Sequence, residues 1–328
     1  MIYLKEKIME GNEFLTGFDE FIRGLGARPE HCFAPIPSFC PCSVKGRPSD
    51  PGYYVFPDFG LCIVPVTMEA ASDPEEVAAL SSLGAPGEHR ILLYEDRWSG
   101  PEGNATRARL ASCLGKFRSV FARKCNVTRT DILTASAFLD RCHSYGSTAA
   151  KYKYALNDAK NGELIAIATF SGRKKLPSMQ HAASPSLAVS PSAISPSAVP
   201  SSANLPSTPD ARIVTSCEWI RYASLPDVRV AGGMGKMLAA FIEDVHPEEV
   251  LSYSDNEWSQ GYVYSKLGFT KAFETSPQDY YVDKRTWKRI SALKVGRDNL
   301  YKGSEFPPSD YWHIWNAGST RWYLQIGH

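Results

Sequence analysis

Between Ile213 and Val245 the chain passes from an apolar, β-branched stretch, through a break at Leu225-Pro226-Asp227, into Val228-Arg-Val-Ala-Gly-Gly-Met-Gly-Lys236. No other segment constrains the fold as much. Ile213 to Tyr222 has the composition of a strand. Gly232, Gly233 and Gly235 permit a sharp turn and close approach of another group to the backbone, because no Cβ intervenes. Beyond Lys236, the residues Met237, Leu238, Phe241, Ile242 and Val245 recur at helical spacing until Pro247 stops the pattern. A strand that feeds a helix through such a turn belongs in an α/β sheet. The unpaired N–H groups at the positive end of that helix form a seat for a pyrophosphate. The same glycines also suit a helix that merely packs closely on a sheet. GGMG departs from the Rossmann G-x-G-x-x-G spacing, and the missing G-K-[ST] excludes a Walker loop.

The next segments extend the pattern. Val250 to Tyr253 reads as a strand, Ser254-Asp255-Asn256 as a turn with capping side chains, and Trp258 to Lys266 as a short helix ended by Gly268. Phe269 leads into a further strand, so Tyr264 falls on the last helical turn, facing the glycine turn. On these residues the chain resembles the GNAT superfamily of N-acetyltransferases. In that family a strand, a pyrophosphate loop and a helix are followed by a strand and a helix ending in Tyr-x-Lys-x-Gly-Phe, here Tyr264 to Phe269.

The resemblance implies an α/β (α+β) fold, a mixed sheet with helices on both faces, and acetyl-CoA or another acyl-CoA as the acyl donor. Val228, Arg229, Val230, Gly232, Gly233, Met234, Gly235, Lys236 and Asn256 are the implied coenzyme contacts. The family's leading Gln or Arg is Val230 here, with Arg229 adjacent as a substitute. Tyr264 matches the family tyrosine that protonates the departing thiolate, a task suited to a phenol that keeps its proton at neutral pH; its other reading is a packed aromatic. Glu218 falls where many members place a general base, and reads equally as a strand glutamate facing solvent. His143 ends the helix expected over Asp131 to Cys142. It serves as a base, as a metal ligand with Asp255, or as a helix-end histidine favoured by the dipole.

A narrower resemblance reaches from about residue 50 to the end of the chain. Ile91-Leu-Leu-Tyr-Glu95-Asp96-Arg-Trp98, Leu114-Gly-Lys116, Ala122-Arg-Lys-Cys125, Phe138-Leu139 with His143, and Tyr311 to Gly318 follow the order found in certain phage and homing-endonuclease-like proteins. Those proteins join a restriction-endonuclease-like domain, related to very-short-patch-repair nucleases, to a GNAT-like domain. Such nucleases hold a divalent metal between two carboxylates. Here the corresponding positions are Tyr53 and Val64, with Asp58, Glu95 and Asp96 scattered around them, so no metal site is expected. The implied domains are a degenerate nuclease-like region at 1–104, a basic connecting helix at 105–126, and an acyltransferase domain at 127–328. The acceptor is an unknown amine. Phage Mom-type enzymes, which alter adenine in DNA, provide one variant; a decayed nucleic-acid-binding protein is the alternative.

With 43% apolar and 12% aromatic residues in 328, the chain can build two modest cores. Its net charge of +1 gives no global attraction to nucleic acid. Locally, basic residues crowd 107–129, where Glu102 is the one nearby acid, and 284–302, and both stretches are candidates for phosphate contacts. Eight scattered cysteines without disulfide spacing, and an N-terminus unlike a secretory signal, suggest an intracellular setting, cytoplasmic or organellar. His31-Cys32 with Cys40-Pro-Cys42 lacks common zinc-finger spacing. No apolar run is long enough to span a membrane. Residues 177–210 are almost entirely Ser, Pro and Ala, with Ser184-Pro-Ser, Ser190-Pro-Ser and Ser195-Pro-Ser recurring. Such a segment lacks the large side chains that offset ordering entropy, and reads as a disordered surface insert.

Overall fold

The computed structural model describes residues 13–32, 52–179, 212–297 and 309–327. They fall into two compact units, neither contiguous in sequence. One comprises Met1–Gly115, Asp255–Gln260 and Ser276–Gly318; the other comprises Lys116–Ser254, Gly261–Thr275 and Ser319–His328.

The elements, in chain order, begin with α1 (Glu13–Gly24), β1 (Glu30–Cys32), β2 (Tyr53–Phe56), β3 (Leu61–Val66), α2 (Met68–Ala71), α3 (Pro74–Leu80), β4 (His89–Tyr94), α4 (Glu95–Ser99) and α5 (Gly103–Cys113). The second unit follows with β5 (Arg118–Phe121), β6 (Cys125–Arg129), α6 (Ile132–Cys142), β7 (Tyr152–Asp158), β8 (Leu164–Phe170), β9 (Lys174–Pro177), β10 (Ile213–Ser224), β11 (Val228–Ala231), α7 (Gly233–Val245), β12 (Glu249–Asp255), α8 (Tyr262–Lys266) and β13 (Thr270–Glu274). Then come β14 (Asp279–Asp283), β15 (Arg289–Ser291), α9 (Ala292–Arg297) and β16 (Tyr311–Trp315), and finally β17 (Ser319–Gln325).

In the first unit β1-β2-β3-β4 form one sheet and β15-β14-β16 another. β3 is buried along its whole length, as expected of a strand covered on both faces. On one side Phe14, Phe18 and Ile22 of α1 pack with Tyr54, Ile63, Ile91 and Trp258; on the other Cys62, Val64 and Leu92 pack with Tyr280, Val282 and Ile314. The aromatic strands at 279–315 therefore complete the core of this unit. This corrects the expected boundary, which assigned everything after residue 127 to one domain.

Two further expectations are corrected. The connecting segment at 105–126 is not one helix: α5 ends at Cys113, Gly115 takes a left-handed φ of 78°, and β5 follows. Nor does a helix run from Trp258. Its ring is buried in the first unit's core beneath Arg109, 4.4 Å from the ring centroid, and His89 Nε2 lies 2.8 Å from its carbonyl. The helix starts only after Gly261, which has φ 77°. Cys40, Cys42, most of the Ser/Pro segment and Lys302 lie outside the described residues, as do the side chains of His31 and Cys32.

The second unit is a mixed sheet in the order β13-β17-β12-β10-β8-β7-β6, with β9 also paired to β10 and a small parallel pair β11-β5. Alternation along β7 sends Tyr154 and Leu156 to one face, where they meet Phe241 and Met237 of α7, and Ala155 to the other, where Phe138 and Leu139 of α6 lie. Helices thus cover both faces. Phe241 stacks on Phe170 with centroids 3.8 Å apart, and each of these fully buried rings contributes about 1.5–3 kcal/mol by leaving water. β7 and β8 turn through Gly162 at φ 73°, as the Asn-Gly pair predicts. The strand that closes the sheet is β17, inserted between β12 and β13. The aromatic segment from Tyr311 supplies β16 to the first unit instead.

Candidate active site

β10 and β12 run parallel and pair from Ser216–Glu249 to Trp219–Ser252. Pairing then stops, although β10 continues to Ser224 and β12 to Asp255. The cause lies on the other edge of β10: Trp219 faces Phe170 and Arg221 faces Thr169, so Ile220 is an extra residue, a bulge that bends the strand. A fork opens, and its facing backbone edges are not paired with each other.

The bulge also changes which side chains share a face. Cys217 and Trp219 point into the α7 core, so Glu218 points to the opposite face. Without a bulge Arg221 and Ala223 would join Trp219. Instead Ala223 packs with α6, and Arg221 lies on the Glu218 side, where the carboxylate acts on it electrostatically. Burial raises the Glu218 carboxyl above its ordinary value, against the pull of Lys174, Arg321 and Arg221. Burial lowers the Arg221 guanidinium, whose Nη1 donates to the Ile220 carbonyl at 2.9 Å. An open recess of about 270 Å³, mouth included, is lined by Glu218, Ser171, Lys174, Leu251, Tyr253 and Arg321, among others.

Tyr264 reaches the apex of the fork from the α7 side. Its ring stacks on Trp322 at 5.7 Å, its hydroxyl donates to the Tyr253 carbonyl at 3.2 Å, and the Ser252 hydroxyl donates to it at 2.9 Å. Ser252 Oγ is also 3.2 Å from the Trp219 carbonyl, at the last pair before the strands part. Electrostatic coupling between Arg221 and Tyr264 links the two faces.

The glycine turn adjoins the freed strand. Gly232, at φ 76°, caps α7, and the helix starts at Gly233, three residues before the expected Lys236. A Cβ on Gly233 would lie 2.8 Å from the Tyr222 hydroxyl and from Val230 Cγ1, so the position admits only glycine. A Cβ on Gly235 would meet Leu267, just beyond α8, at 3.3 Å. The first turn of α7 carries no acid. Val228, Arg229 and Val230, expected in a loop, form strand β11 along β5: Val228 is buried, Val230 packs on the core, and Arg229 lies over Phe117. Met234 packs on the same core. Lys236 anchors the turn: its N–H bonds the Gly232 carbonyl, and its ammonium bonds the carbonyls of Ala122 at 3.0 Å and Cys125 at 2.5 Å.

Other sequence candidates stand elsewhere. His143 caps α6, with Nδ1 accepting the Tyr145 N–H at 3.0 Å. The same turn presents Gly146, whose carbonyl accepts from Arg221 Nε at 3.3 Å. Asn256 belongs to the first unit, where its amide donates to the Ala317 carbonyl. The basic stretch at 107–129 is not a free stripe. Arg118 pairs with Glu163 and Asp227, Arg129 with Asp244, and Arg107 bonds the Trp98 carbonyl. In the second stretch Arg289 is buried against Asp96 and Glu257, and Lys284 bonds the Ser309 carbonyl. Arg221, Ser252 and Arg321 were not singled out from the sequence; nothing marks them there except an arginine three residues after Glu218.

No family model matches the chain, and no curated protein matches it. Among solved structures, a GNAT family acetyltransferase from Elizabethkingia anophelis with acetyl-CoA bound aligns over 62% of this chain and 99% of that one, at 10% identity and a TM-score of 0.31. A Bacillus subtilis acetyltransferase in complex with CoA aligns over 62% and 100%, at 11% identity and the same TM-score of 0.31. Superpositions this partial carry no argument about activity.

Proposed function

We propose that the second unit is an acyl-CoA-dependent N-acyltransferase. The fork between β10 and β12 carries this reading, because it gathers three requirements at one place. Its strand edges, not paired with each other beyond Trp219 and Ser252, leave room for backbone hydrogen bonds to an extended arm bearing amides, like that of coenzyme A, as an added strand would make. The glycine turn beside the freed end of β10 offers N–H donors at the positive end of a helix of 13 residues. Tyr264 stands at the apex. These features fit coenzyme A; when bound, it supplies an activated acyl thioester.

The chain's own residues then have separable tasks. Glu218, on the open face, takes a proton from an acceptor ammonium, directly or through water, so that the freed amine can bond to the acyl carbon; the second proton that this nitrogen loses restores the Tyr264 phenol. Tyr264 gives its proton to the sulfur as the carbon–sulfur bond breaks, and Ser252 holds the phenol in place. Arg221 acts electrostatically on both groups. The first unit we propose to be nuclease-like in fold without nuclease chemistry. Val64 is core, Asp96 is committed to Arg289, and Glu95 accepts the Met68 N–H at 2.9 Å. Against the nucleic-acid-binding alternative, Arg118, Arg129 and Arg289 are already paired with Glu163, Asp227, Asp244 and Asp96.

The test is coenzyme binding. Coenzyme A at a hundredfold excess over its Kd should stabilise the full chain by about 2.7 kcal/mol. Gly235→Asp should abolish that gain. It sets a negative charge in the first turn of α7, beside the proposed pyrophosphate seat, where a carboxylate suits the helix N-terminus and Leu267, 3.3 Å from the new Cβ, has to give by only a few tenths of an ångström. Tyr264→Phe should keep the gain and lose about 10²–10⁴-fold in turnover. Absence of stabilisation in the wild-type chain refutes the proposal.

A further inference from the structure

Arg321, on β17, lines the same recess as Glu218, yet no salt bridge pairs it with a carboxylate among the described residues. The residue is 5% exposed, and its Nε is fully buried with no hydrogen-bond partner among the described residues. No carboxylate among them lies within ion-pairing distance of it. Its guanidinium rests between the rings of Tyr253 and Phe273, 5.6 and 5.7 Å from their centroids. Those contacts offset part of the cost of burying a cation, but they do not satisfy its donors. Glu249, buried on the same side, is already served by Ser216, Ser178, Gln325 and the Met179 N–H. Arginine presents donors in a planar fork that matches a carboxylate, and a buried, unpaired fork facing a recess is a site prepared for an anion. Lys174 adds a second positive charge at the rim, and Glu218 supplies the one acid positioned to meet an amine.

We propose that the acceptor is a small amine that also carries a carboxylate, with the carboxylate on Arg321 and the amine at Glu218. This inference rests on the acyltransferase reading for its chemistry, although the anion site itself does not. The small recess and the buried position of Arg321 favour a free amino-acid-like molecule over a base within a polynucleotide.

Calorimetry on the full chain, free and saturated with coenzyme A, should compare L-phenylalanine with phenethylamine and L-leucine with isoamylamine. The expected result is at least tenfold tighter binding of the acids, a preference lost in Arg321→Gln and only partly kept in Arg321→Lys. The lysine variant retains a charge in the core and keeps the comparison open if the glutamine variant does not fold. Equal affinity for acid and amine, a preference that survives Arg321→Gln, or no binding of any of the four overturns the inference. Tighter binding of O-phosphoethanolamine than of the carboxylates overturns it as well, by assigning the site to phosphate. Lack of coenzyme binding, with the acid preference intact, would instead remove the acyltransferase reading and leave the anion site standing.

Discussion

Arg289→Met should be among the most damaging single changes in the first unit. Arg289 is 4% exposed and reaches three carboxylate oxygens: Asp96 through Nε and Nη2, both at 2.7 Å, and Glu257 through Nη1 at 2.6 Å. Asp96 and Glu257 are 1% and 0% exposed, and the remaining nearby cation, Arg97, stands 3.7 Å from Glu257. These contacts tie α4, the Asp255–Gln260 segment and β15 into one network. Methionine fills most of the volume and leaves two buried carboxylates facing one guanidinium. Removing one partner of a buried pair costs about 3–5 kcal/mol, largely because the other charge is stranded. The cost should depend on pH. Arg289 holds Asp96 below its ordinary value, whereas burial already pushes Glu257 up to about 7. Without Arg289, both folded-state values would exceed the unfolded ones. The penalty then shrinks as pH falls through and below the unfolded carboxyl values of about 4, and grows as pH rises toward the raised folded values. Hydrogen exchange at the Leu92 N–H, which bonds the Glu257 carbonyl at 2.7 Å, reports the local opening. It should accelerate by roughly two to four orders of magnitude at neutral pH. A loss under about 1 kcal/mol, or one that does not shrink in acid, would refute the assignment of this network as a buried, mutually dependent set of charges.

Gly261→Ala should be far worse than a usual glycine replacement. The residue has φ 77°, and a Cβ would lie 2.1 Å from Cζ2 of Trp322, which stacks on Tyr264. Strain and overpacking together suggest about 2–5 kcal/mol, measurable by urea denaturation, together with a changed near-UV spectrum from the displaced indole. For Glu218, activity should rise with pH through a midpoint above the ordinary carboxylate value of 4.5, because only the ionised form accepts a proton. Lys174→Ala should move that midpoint higher, since Lys174 pulls it down; an unmoved profile would count against Glu218 as the base.

The local signals in the sequence were sound where a single segment determines its own conformation. The glycine turn, the Asn161-Gly162 hairpin and the helix expected from Asp131 all form where the residue types place them; Asp131 also caps that helix, its carboxylate accepting the Thr134 N–H at 2.8 Å. What could not be read depends on residues remote in the chain. Glu102 was the only acid near the 107–129 cluster, yet folding brings Glu163, Asp227 and Asp244 to its arginines. Trp258 looked helical beside Tyr264, but its ring belongs to the core of the other unit. Arg321 in a seven-residue strand resembled an ordinary solvated arginine until Tyr253 and Phe273 closed over it. The bulge at Ile220, which decides that Arg221 faces Glu218, has no glycine or proline to announce it.

The position of β17 has a consequence for how the chain reaches this state. The strand lies inside the sheet, between β12 and β13, yet it is synthesised last of all its neighbours. Until residue 325 has been made, β13 has no place to pair and Tyr264 has no indole to rest on. During synthesis the fork can form early, from β10 and β12, but its proposed acid and its proposed anion-binding arginine are fixed only when β17 arrives. Truncation a few residues short of that point should therefore leave a collapsed half-sheet with exposed edges, and a cell making such fragments would meet them first as an aggregation problem.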